Sequence, residues 1–527
     1  MKNTRIRLLL PGLVLFGVSA VHAQTKVFKE VAEGISSQFE VIIQDDKLVG
    51  YLGFTQLEQA SADSFNYRIS IMDENLNDIG TVNFRERKLN LAGVSFEQDV
   101  LCLAYLKTNF QDIPYRNKKQ FKEVLADAKS SLFTQFISLD GKVKATNEVG
   151  LVITPKAPEV YDNKVITGSL KHGIQLKNIP NVGFACFVGD EQKNMLFAYD
   201  ASGKQLWKRD ITDKGNEFGL QTSKNDVNLL EKQNYPNNPE CGFMLASFRA
   251  QNGSPYPKVA PKDKKGNELK IVNMGNDPVT GDLVLSGMII DPRKCNHWGM
   301  AQGLRHGIYC GVFSIDIKGH TRSQIQTNYA YWNDNSNAEF SKKGYLREAH
   351  AYDNVHTCFR DYRGNTWFAA TGIHSHFRVG GMIAGAALFE FIFIPTVMEL
   401  GAGFYRYKAK DVELLKLDPQ GHLTYVNSIP TASASTHGLA ASSFTGYEAA
   451  SCFYYMLTNP ETKTDYLVVT DPKNVSIYNV EQNKIARTIP NKEHKNSFKV
   501  LPAKEGYYMV SEYNQKEKTT RLSIEAL

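Results

Sequence analysis

Histidine is the residue type whose spacing in this sequence suggests chemistry most directly. His374 and His376 are separated by one residue, so on a β-strand both imidazoles would lie on one face, about 7 Å apart. Two imidazoles on one face can ligate zinc or copper when a cysteine or carboxylate joins them. Five more histidines lie in the same part of the chain: His297, His306, His320, His350 and His356.

Possible additional ligands occur among these histidines, at Glu348, Asp353 and Cys358. The sequence contains no HExxH or CxxC spacing, no GxSxG and no P-loop, so no catalytic residue is assigned and no cofactor is expected. Separate surface and hairpin histidines are the alternative to a metal site, and the identity of any metal stays unknown. The candidate binding residues are His350, His356, His374 and His376.

An apolar segment at 380–403 is the second unusual feature. It is rich in glycine and alanine, carries Glu390 near its middle, and continues through Pro395. Its length would suit a membrane span, but a central acid is expensive in lipid. Three interpretations stay open: an insertion folded against the protein, a surface that docks on a membrane or partner, or a true span. The candidate interface residues are Phe389, Phe391 and Phe393.

Most of the chain consists of short strand signals separated by turns. Runs such as 283–290 and 466–469 are rich in β-branched residues and are bounded by Gly, Asn or Asp. Many of the turns begin with an aspartate and continue with Gly or Asn, as in 199–207. These aspartates recur every 45 to 67 residues, at positions 73, 140, 200, 263, 316, 361, 418 and 471.

A loose repeat of this length is typical of a four-stranded propeller blade. The sequence therefore predicts an all-β fold, a β-propeller of six to eight four-stranded antiparallel blades, with seven favoured. An array of β-sandwiches would show the same turns and is the alternative. One amphipathic helix is expected where Phe121, Val124, Leu125 and Ala128 share a face.

Composition and charge exclude several classes of protein. Hydrophobic residues make up 42% and charged residues 22% of the 527 residues, as in ordinary globular chains, which excludes disordered, collagen-like and polytopic membrane proteins. The formal charge is +6, and about +3 without the three basic residues near the N-terminus, too low for a nucleic-acid binder. The seven cysteines have no regular spacing; Cys102 and Cys186 are expected in buried strands, and Cys295 with Cys310 could form a bridge.

The N-terminus resembles an export signal. Three basic residues precede an apolar run of about 13 residues, and Val21-His22-Ala23 offers a cleavage site before Gln24. The run is too short for a transmembrane anchor, the alternative interpretation. We therefore expect a signal peptide at 1–23 and one mature propeller-like domain at 24–527. Its location would be the periplasm, the outer membrane or the medium.

Two segments carry a resemblance to known proteins. Residues 199–207 resemble the strand-turn-strand unit of quinoprotein-like and other bacterial propellers. The glycine- and alanine-rich segment, followed by Lys416–Leu423 and by Ile429-Pro430, resembles uncharacterised secreted proteins of Bacteroidetes that carry a domain of unknown function. That resemblance implies no catalytic residues.

Two hypotheses about function follow. The first is a secreted, non-enzymatic binding or scaffold propeller of the cell envelope, whose partner is an envelope protein or a glycan, with peripheral membrane contact through 380–403 as an option. The second is an envelope hydrolase or lyase that acts on a glycan, metal-assisted or not, through the region His297–His376. Loops converge on one face of a propeller, which suits both hypotheses.

Overall fold

The computed structural model describes residues 24–29, 36–44, 47–61, 64–156, 165–212, 215–233, 242–291, 309–334, 339–377, 405–431, 434–437, 453–459, 462–471, 473–490, 496–514 and 516–527. Within these ranges the chain forms thirty-three strands, one α-helix and one 3-10 turn. The 380–403 segment, His297, His306, Cys295 and the three phenylalanines of the expected interface lie outside the described residues.

The strands of the first half are β1 (Gln24–Lys29), β2 (Ser36–Gln44), β3 (Lys47–Ser61), β4 (Ser64–Met72), β5 (Asp78–Glu86), β6 (Lys88–Glu97), β7 (Val100–Thr108), β8 (Ser130–Ser138), β9 (Val143–Leu151), β10 (Gly173–Ile179), β11 (Gly183–Gly189), β12 (Asn194–Asp200), β13 (Gln205–Ile211), β14 (Glu217–Ser223), β15 (Asp226–Lys232) and β16 (Phe243–Arg249). Those of the second half are β17 (Leu269–Asn276), β18 (Leu283–Ile290), β19 (Tyr309–Ile317), β20 (Ile325–Tyr331), β21 (Tyr345–Leu346), β22 (Ala351–Arg360), β23 (Thr366–Phe377), β24 (Tyr405–Leu417), β25 (Leu423–Ile429), β26 (Ala434–His437), β27 (Phe453–Asn459), β28 (Thr464–Thr470), β29 (Asn474–Asn479), β30 (Lys484–Pro490), β31 (Asn496–Pro502), β32 (Tyr507–Asn514) and β33 (Thr519–Ala526).

These strands pair into eight antiparallel sheets, the blades of a propeller. Blades 1 to 3 are β2–β5, β6–β9 and β10–β13; blade 4 contains β14–β16, and blade 5 is β17–β20. Blade 6 contains β21–β26, blade 7 is β27–β30, and blade 8 combines β31–β33 with β1. The predicted all-β propeller is confirmed, with eight blades, the upper end of the predicted range and one more than the favoured seven.

The core lies between the blades. Eight clusters of buried hydrophobic residues each join one blade to the next around the ring. Between blades 2 and 3, for example, Cys102 and Phe136 pack in one cluster with Cys186 and Tyr199. Because a blade is covered on both faces, its central strands are continuously apolar, and β11 is buried along its whole length. The prediction that Cys102 and Cys186 are buried in strands is confirmed.

The ring closes through the N-terminal strand. Strand β1 pairs with β33 and becomes the outermost strand of blade 8, so the two ends of the chain share one sheet. Blade 8 then packs on blade 1, where the Tyr51 hydroxyl donates to the Pro502 carbonyl at 3.0 Å. Because β1 is followed directly by blade 1, this pairing couples the first blade to the last.

Two blades depart from the regular pattern. In blade 4, residues 254–259 take the place of a fourth strand through the bridges Phe248–Pro255 and Leu245–Val259, because proline cannot continue a ladder of hydrogen bonds. In blade 6, the long strand β24 pairs with β25 along one half and with β26 along the other. Blade 6 therefore extends beyond its neighbours as a small sheet of β23, β24 and β26.

The expected helix is α1 (Lys118–Ala126), which connects the second and third strands of blade 2. Asn117 caps its N-terminus by accepting from two backbone N–H groups. Phe121, Val124 and Ala128 pack on a small satellite cluster, as predicted, although Ala128 lies just beyond the helix end, whereas Leu125 is exposed. In the part of the chain that the structure describes, no helix has the length and apolar character needed to cross a membrane.

Candidate functional site

The two ends of blades 5 and 6 differ in the connections they carry. At one end, the short-turn end, lie the turns at 277–282, 318–324, 361–365 and 418–422. At the other, the long-connection end, β18 stops before β19 begins at Tyr309, and β23 stops at Phe377 before β24 begins at Tyr405. Ile290, Tyr309 and Trp332 of blade 5 pack there in one cluster with Leu346. The two long connections therefore leave from neighbouring blades at the same end.

The histidines of the sequence analysis are distributed over both ends. His350 is exposed at the turn before β22, in a left-handed conformation with φ of 53°. The backbones of His374 and His376 lie on the extension of blade 6, opposite Lys408 and Arg406, and their side chains are outside the description. His320 lies at the short-turn end. In the described ranges, no group of three or more His, Cys, Asp or Glu side chains is arranged to hold a metal ion.

His356 lies on β22 of blade 6 and is half-buried. It occupies an irregularity in β22 between Val355 and Thr357, where the register with β23 shifts. Burial, followed by the charge of Lys270, lowers the pKa of His356 to about 4. The imidazole is therefore neutral at pH 7. Lys270 donates to the hydroxyl of Tyr309 at 2.9 Å within blade 5.

Two carboxyl groups meet in blade 6, and sequence spacing had not paired them. Asp353 of β22 pairs in register with Gly372 of β23, and Glu413 lies on the next strand, β24. A side-chain Cβ placed on Gly372 would lie 3.9 Å from Asp353 Oδ1 and 3.8 Å from Glu413 Oε1, and 2.9 Å from the Cβ of Ala351. A side chain at position 372 would therefore collide with Ala351, and both carboxyl groups lie close to this glycine. We call Asp353 and Glu413 the acid pair.

The environment of the acid pair favours the neutral form of Asp353. Burial, followed by the charge of Glu413, raises the pKa of Asp353 well above its usual range. Glu413 is buried, and Asp353 Oδ1 is buried without a hydrogen-bond partner among the described residues. A protonated carboxyl group can donate a hydrogen bond as well as accept one.

Tyrosines surround this end of blade 6. Tyr425 shares a hydrogen bond with Glu413, and burial followed by the charge of Glu413 raises the pKa of its hydroxyl. Tyr345 and Tyr352 face each other across β21 and β22, with ring centroids 5.2 Å apart in an edge-to-face arrangement. Both rings are half-buried. Partly exposed aromatic rings of this kind can pack on the apolar face of a ligand.

Comparison with known proteins adds a partial family match. Residues 1–118 match a family model described as "Family of unknown function (DUF6770)". The match ends between the second and third strands of blade 2. It does not reach the segments at 416–430 that carried the sequence resemblance. The expected domain of unknown function is thus confirmed for that part, while a Bacteroidetes origin and secretion stay predictions. The search of curated proteins finds no match.

Several solved structures are similar in outline. The Dos1 propeller has 8% identity, with 90% of this chain and 88% of that chain covered and a TM-score of 0.40. Dihydro-heme d1 dehydrogenase NirN in complex with DHE has 10% identity, 87% and 71% coverage and a TM-score of 0.41. A protein of unknown function from Bacteroides caccae has 10% identity, 69% and 89% coverage and a TM-score of 0.26. Similarity this distant assigns no ligand or activity.

Proposed function

We propose that this protein is a non-enzymatic binding propeller of the bacterial cell envelope and that it holds a glycan at the long-connection end of blade 6. The observation that carries the proposal is the acid pair beside Gly372. Asp353 Oδ1 is a buried acceptor that lacks a donor, and burial without a partner costs roughly 1–3 kcal/mol. A ligand hydroxyl that supplies this donor would recover part of that cost.

A glycan suits the site better than a simple cation does. A sugar ring has apolar faces for Tyr345 and Tyr352, and its hydroxyl groups both donate and accept. The acid pair offers the complement, because burial favours the protonated form of Asp353, which can donate, and Glu413 adds carboxyl oxygens that can accept. An envelope protein as partner is the competing outcome, and it would require no sugar.

The proposal can be tested by isothermal titration calorimetry with the mature chain. The probes are soluble oligosaccharides of glucose, galactose and N-acetylglucosamine, and soluble peptidoglycan fragments. We expect at least one class to bind, and we expect D353N and E413Q to weaken that binding about tenfold, the equivalent of one charge-assisted hydrogen bond. Asp334→Asn, an exposed acid at the same end of blade 5, is the control and should bind like the parent. If no glycan binds, or if D353N binds as the parent does, the proposal is wrong.

Glycan hydrolysis is the second candidate, and the raised pKa of Asp353 favours it specifically. A hydrolase needs a protonated carboxyl group to donate to the leaving oxygen and a second carboxylate across the bond. In that case Asp353 would be the acid and Glu413 the second carboxylate. The test is release of reducing ends from the oligosaccharide that binds. Hydrolysis that D353N abolishes would replace the binding proposal with the enzymatic one, whereas binding without hydrolysis leaves it in place.

A further inference from the structure

The extension of blade 6 is a small sheet built from parts of three strands. The end of β23 pairs with the beginning of β24, so that His374 is opposite Lys408 and His376 is opposite Arg406. The same part of β24 pairs on its other side with β26, where Arg406 is opposite His437. The register therefore places His437 in one row with Arg406 and His376, a grouping that the spacing of the histidines in the sequence did not indicate.

Alternation along these strands sorts the positions onto two faces. Directly paired positions of antiparallel strands lie on the same face of a sheet, and so do positions two apart in one strand. One face, which we call the basic face, therefore has six positions in two rows: His376, Arg406 and His437 in the first, and His374, Lys408 and Ser435 in the second. The positions between these rows belong to the other face, and they are Ser375, Tyr407 and Thr436.

None of the six positions of the basic face is an acid. They combine one guanidinium and one ammonium group, both charged at neutral pH, with three imidazoles that can donate hydrogen bonds. The acid of β24 nearest to them in sequence is Asp411, whose Oδ1 already accepts from the Thr431 N–H at 3.2 Å. Because like charges that are neighbours on a sheet destabilise it, a bound anion would stabilise the basic face.

The size of the basic face suits a single oxyanion. Neighbouring strands are about 4.8 Å apart, and positions two apart in one strand are about 7 Å apart. Three strands and two rows therefore cover roughly 10 Å by 7 Å, an area that one tetrahedral oxyanion and its donors can occupy. Arg406 is at the middle of its row. A guanidinium is the side-chain group that best matches an oxyanion, because it can donate two parallel hydrogen bonds.

A metal ion suits these positions less well than an anion does. His374 and His376 taken alone would suggest zinc or copper, but zinc sites combine histidine with cysteine or carboxylate ligands, and the six positions include neither. Lys408 and Arg406 are directly opposite the two histidines, and their charges would oppose a second cation. The same two charges favour an anion.

We propose that the basic face binds the sulfate or phosphate group of an anionic ester. Arg406 and Lys408 supply the positive charge, and the three histidines supply additional N–H donors. The face is next to the acid pair along the chain, because Gly372 precedes His374 by two residues on β23. Binding of the anion does not depend on the proposed glycan site, since it requires only the charged group.

Isothermal titration calorimetry of the mature chain with glucose 6-sulfate, glucose 6-phosphate and glucose tests the proposal. We expect at least one ester to bind at least about tenfold more tightly than glucose, and the tighter of the two identifies the group that is recognised. Glucose that binds as tightly as both esters would show that the anion is not recognised. That result, or no binding of either ester by the folded chain, overturns the proposal.

Variants locate the site. Arg406→Gln should weaken ester binding about tenfold, and Lys408→Gln is the second variant if the first fails to fold, as judged by thermal unfolding. Lys484→Gln, on the exposed strand β30 of blade 7, removes the same charge elsewhere and should bind like the parent. Thr436→Val alters the other face of the extension and should also leave binding unchanged. Ester binding that persists in both folded variants of the basic face refutes the site.

Discussion

Single residues decide where this propeller can hold a ligand, and their importance comes from their neighbours rather than their type. Asp353 was only one of several acids near the histidines in the sequence, and Glu413 had no distinguishing signal. The register of β22, β23 and β24 brings both to Gly372. His320, one member of the histidine group, pairs instead with Asp226 at the far end of the blades. Long-range contacts of this kind are not encoded in local spacing.

Replacing Asp353 by asparagine should change how stability depends on pH. The folded-state pKa of Asp353 is raised, so its favourable contribution is complete below the unfolded value near 4 and is lost as the pH rises through the folded value. The quantity to compare is the free energy of unfolding of D353N minus that of the parent. We expect this difference to be about 1 kcal/mol larger at pH 8 than at pH 4. Urea unfolding at the two pH values measures this.

The control for that comparison is again Asp334→Asn, whose exposed carboxyl group should give the same difference at both pH values. An equal effect of D353N at pH 4 and pH 8 would show that the pKa of Asp353 is not raised in the folded protein.

At the scale of elements, the aspartate turns predicted tight turns between strands well, but they do not occur at one fixed position in every blade. The turns at Asp73, Asp140 and Asp200 connect the third and fourth strands of blades 1, 2 and 3, and the turn at Asp418 connects β24 to β25 in blade 6. Others fall elsewhere: Asp361 between β22 and β23 of blade 6, Asp471 between the second and third strands of blade 7, Asp263 between blades 4 and 5, and Asp316 within β19. In Asp200, one carboxylate oxygen accepts from the N–H groups of Ser202 and Lys204. The turn chemistry is local, so it marks any tight hairpin and does not count blades.

The element that matters most for the integrity of the ring is β1. Deleting 24–29 removes every β1–β33 hydrogen bond and the packing of Phe28 on Phe39, whose ring centroids are 4.6 Å apart. We expect a loss of about 3 kcal/mol in free energy of unfolding, from one aromatic contact and the backbone pairing. Chemical denaturation of chains that begin at residue 24 and at residue 30 measures the difference.

A chain with a short inert tag placed before Gln24 keeps β1 and is the control for altering the N-terminus. Equal midpoints for all three chains would mean that the propeller does not depend on closure by β1.

For the whole molecule, eight blades form a ring with a hydrophobic layer between each neighbouring pair, and the acid pair lies within blade 6. The ring explains why one long chain forms a repeated architecture: each blade needs a neighbour on both faces to bury its apolar strands.

Export is the prediction at this scale. We expect the mature chain to begin at Gln24, as read by N-terminal mass spectrometry, and to be recovered in the periplasm or medium after cell fractionation. The reason is the basic, apolar and small-residue order of 1–23. Membranes washed with alkaline carbonate should release the protein.

Retention on carbonate-washed membranes would contradict that expectation and would make 380–403 the anchor. A variant that carries aspartates in place of Phe389, Phe391 and Phe393 separates the two cases, because it should leave membranes only if this segment holds the protein there.

The amino-acid sequence by itself determined the class of structure: strands, tight aspartate turns, a repeat of blade length, one amphipathic helix and two buried cysteines. Each of these depends on residues close together in the chain, where alternation, turn chemistry and burial leave a readable pattern. Only the tertiary structure decided the eight blades, the closure by β1, the acid pair and the basic face of the blade 6 extension. Those depend on register between strands and on packing between blades, and both are set by the free energy of the whole ring rather than by any single segment.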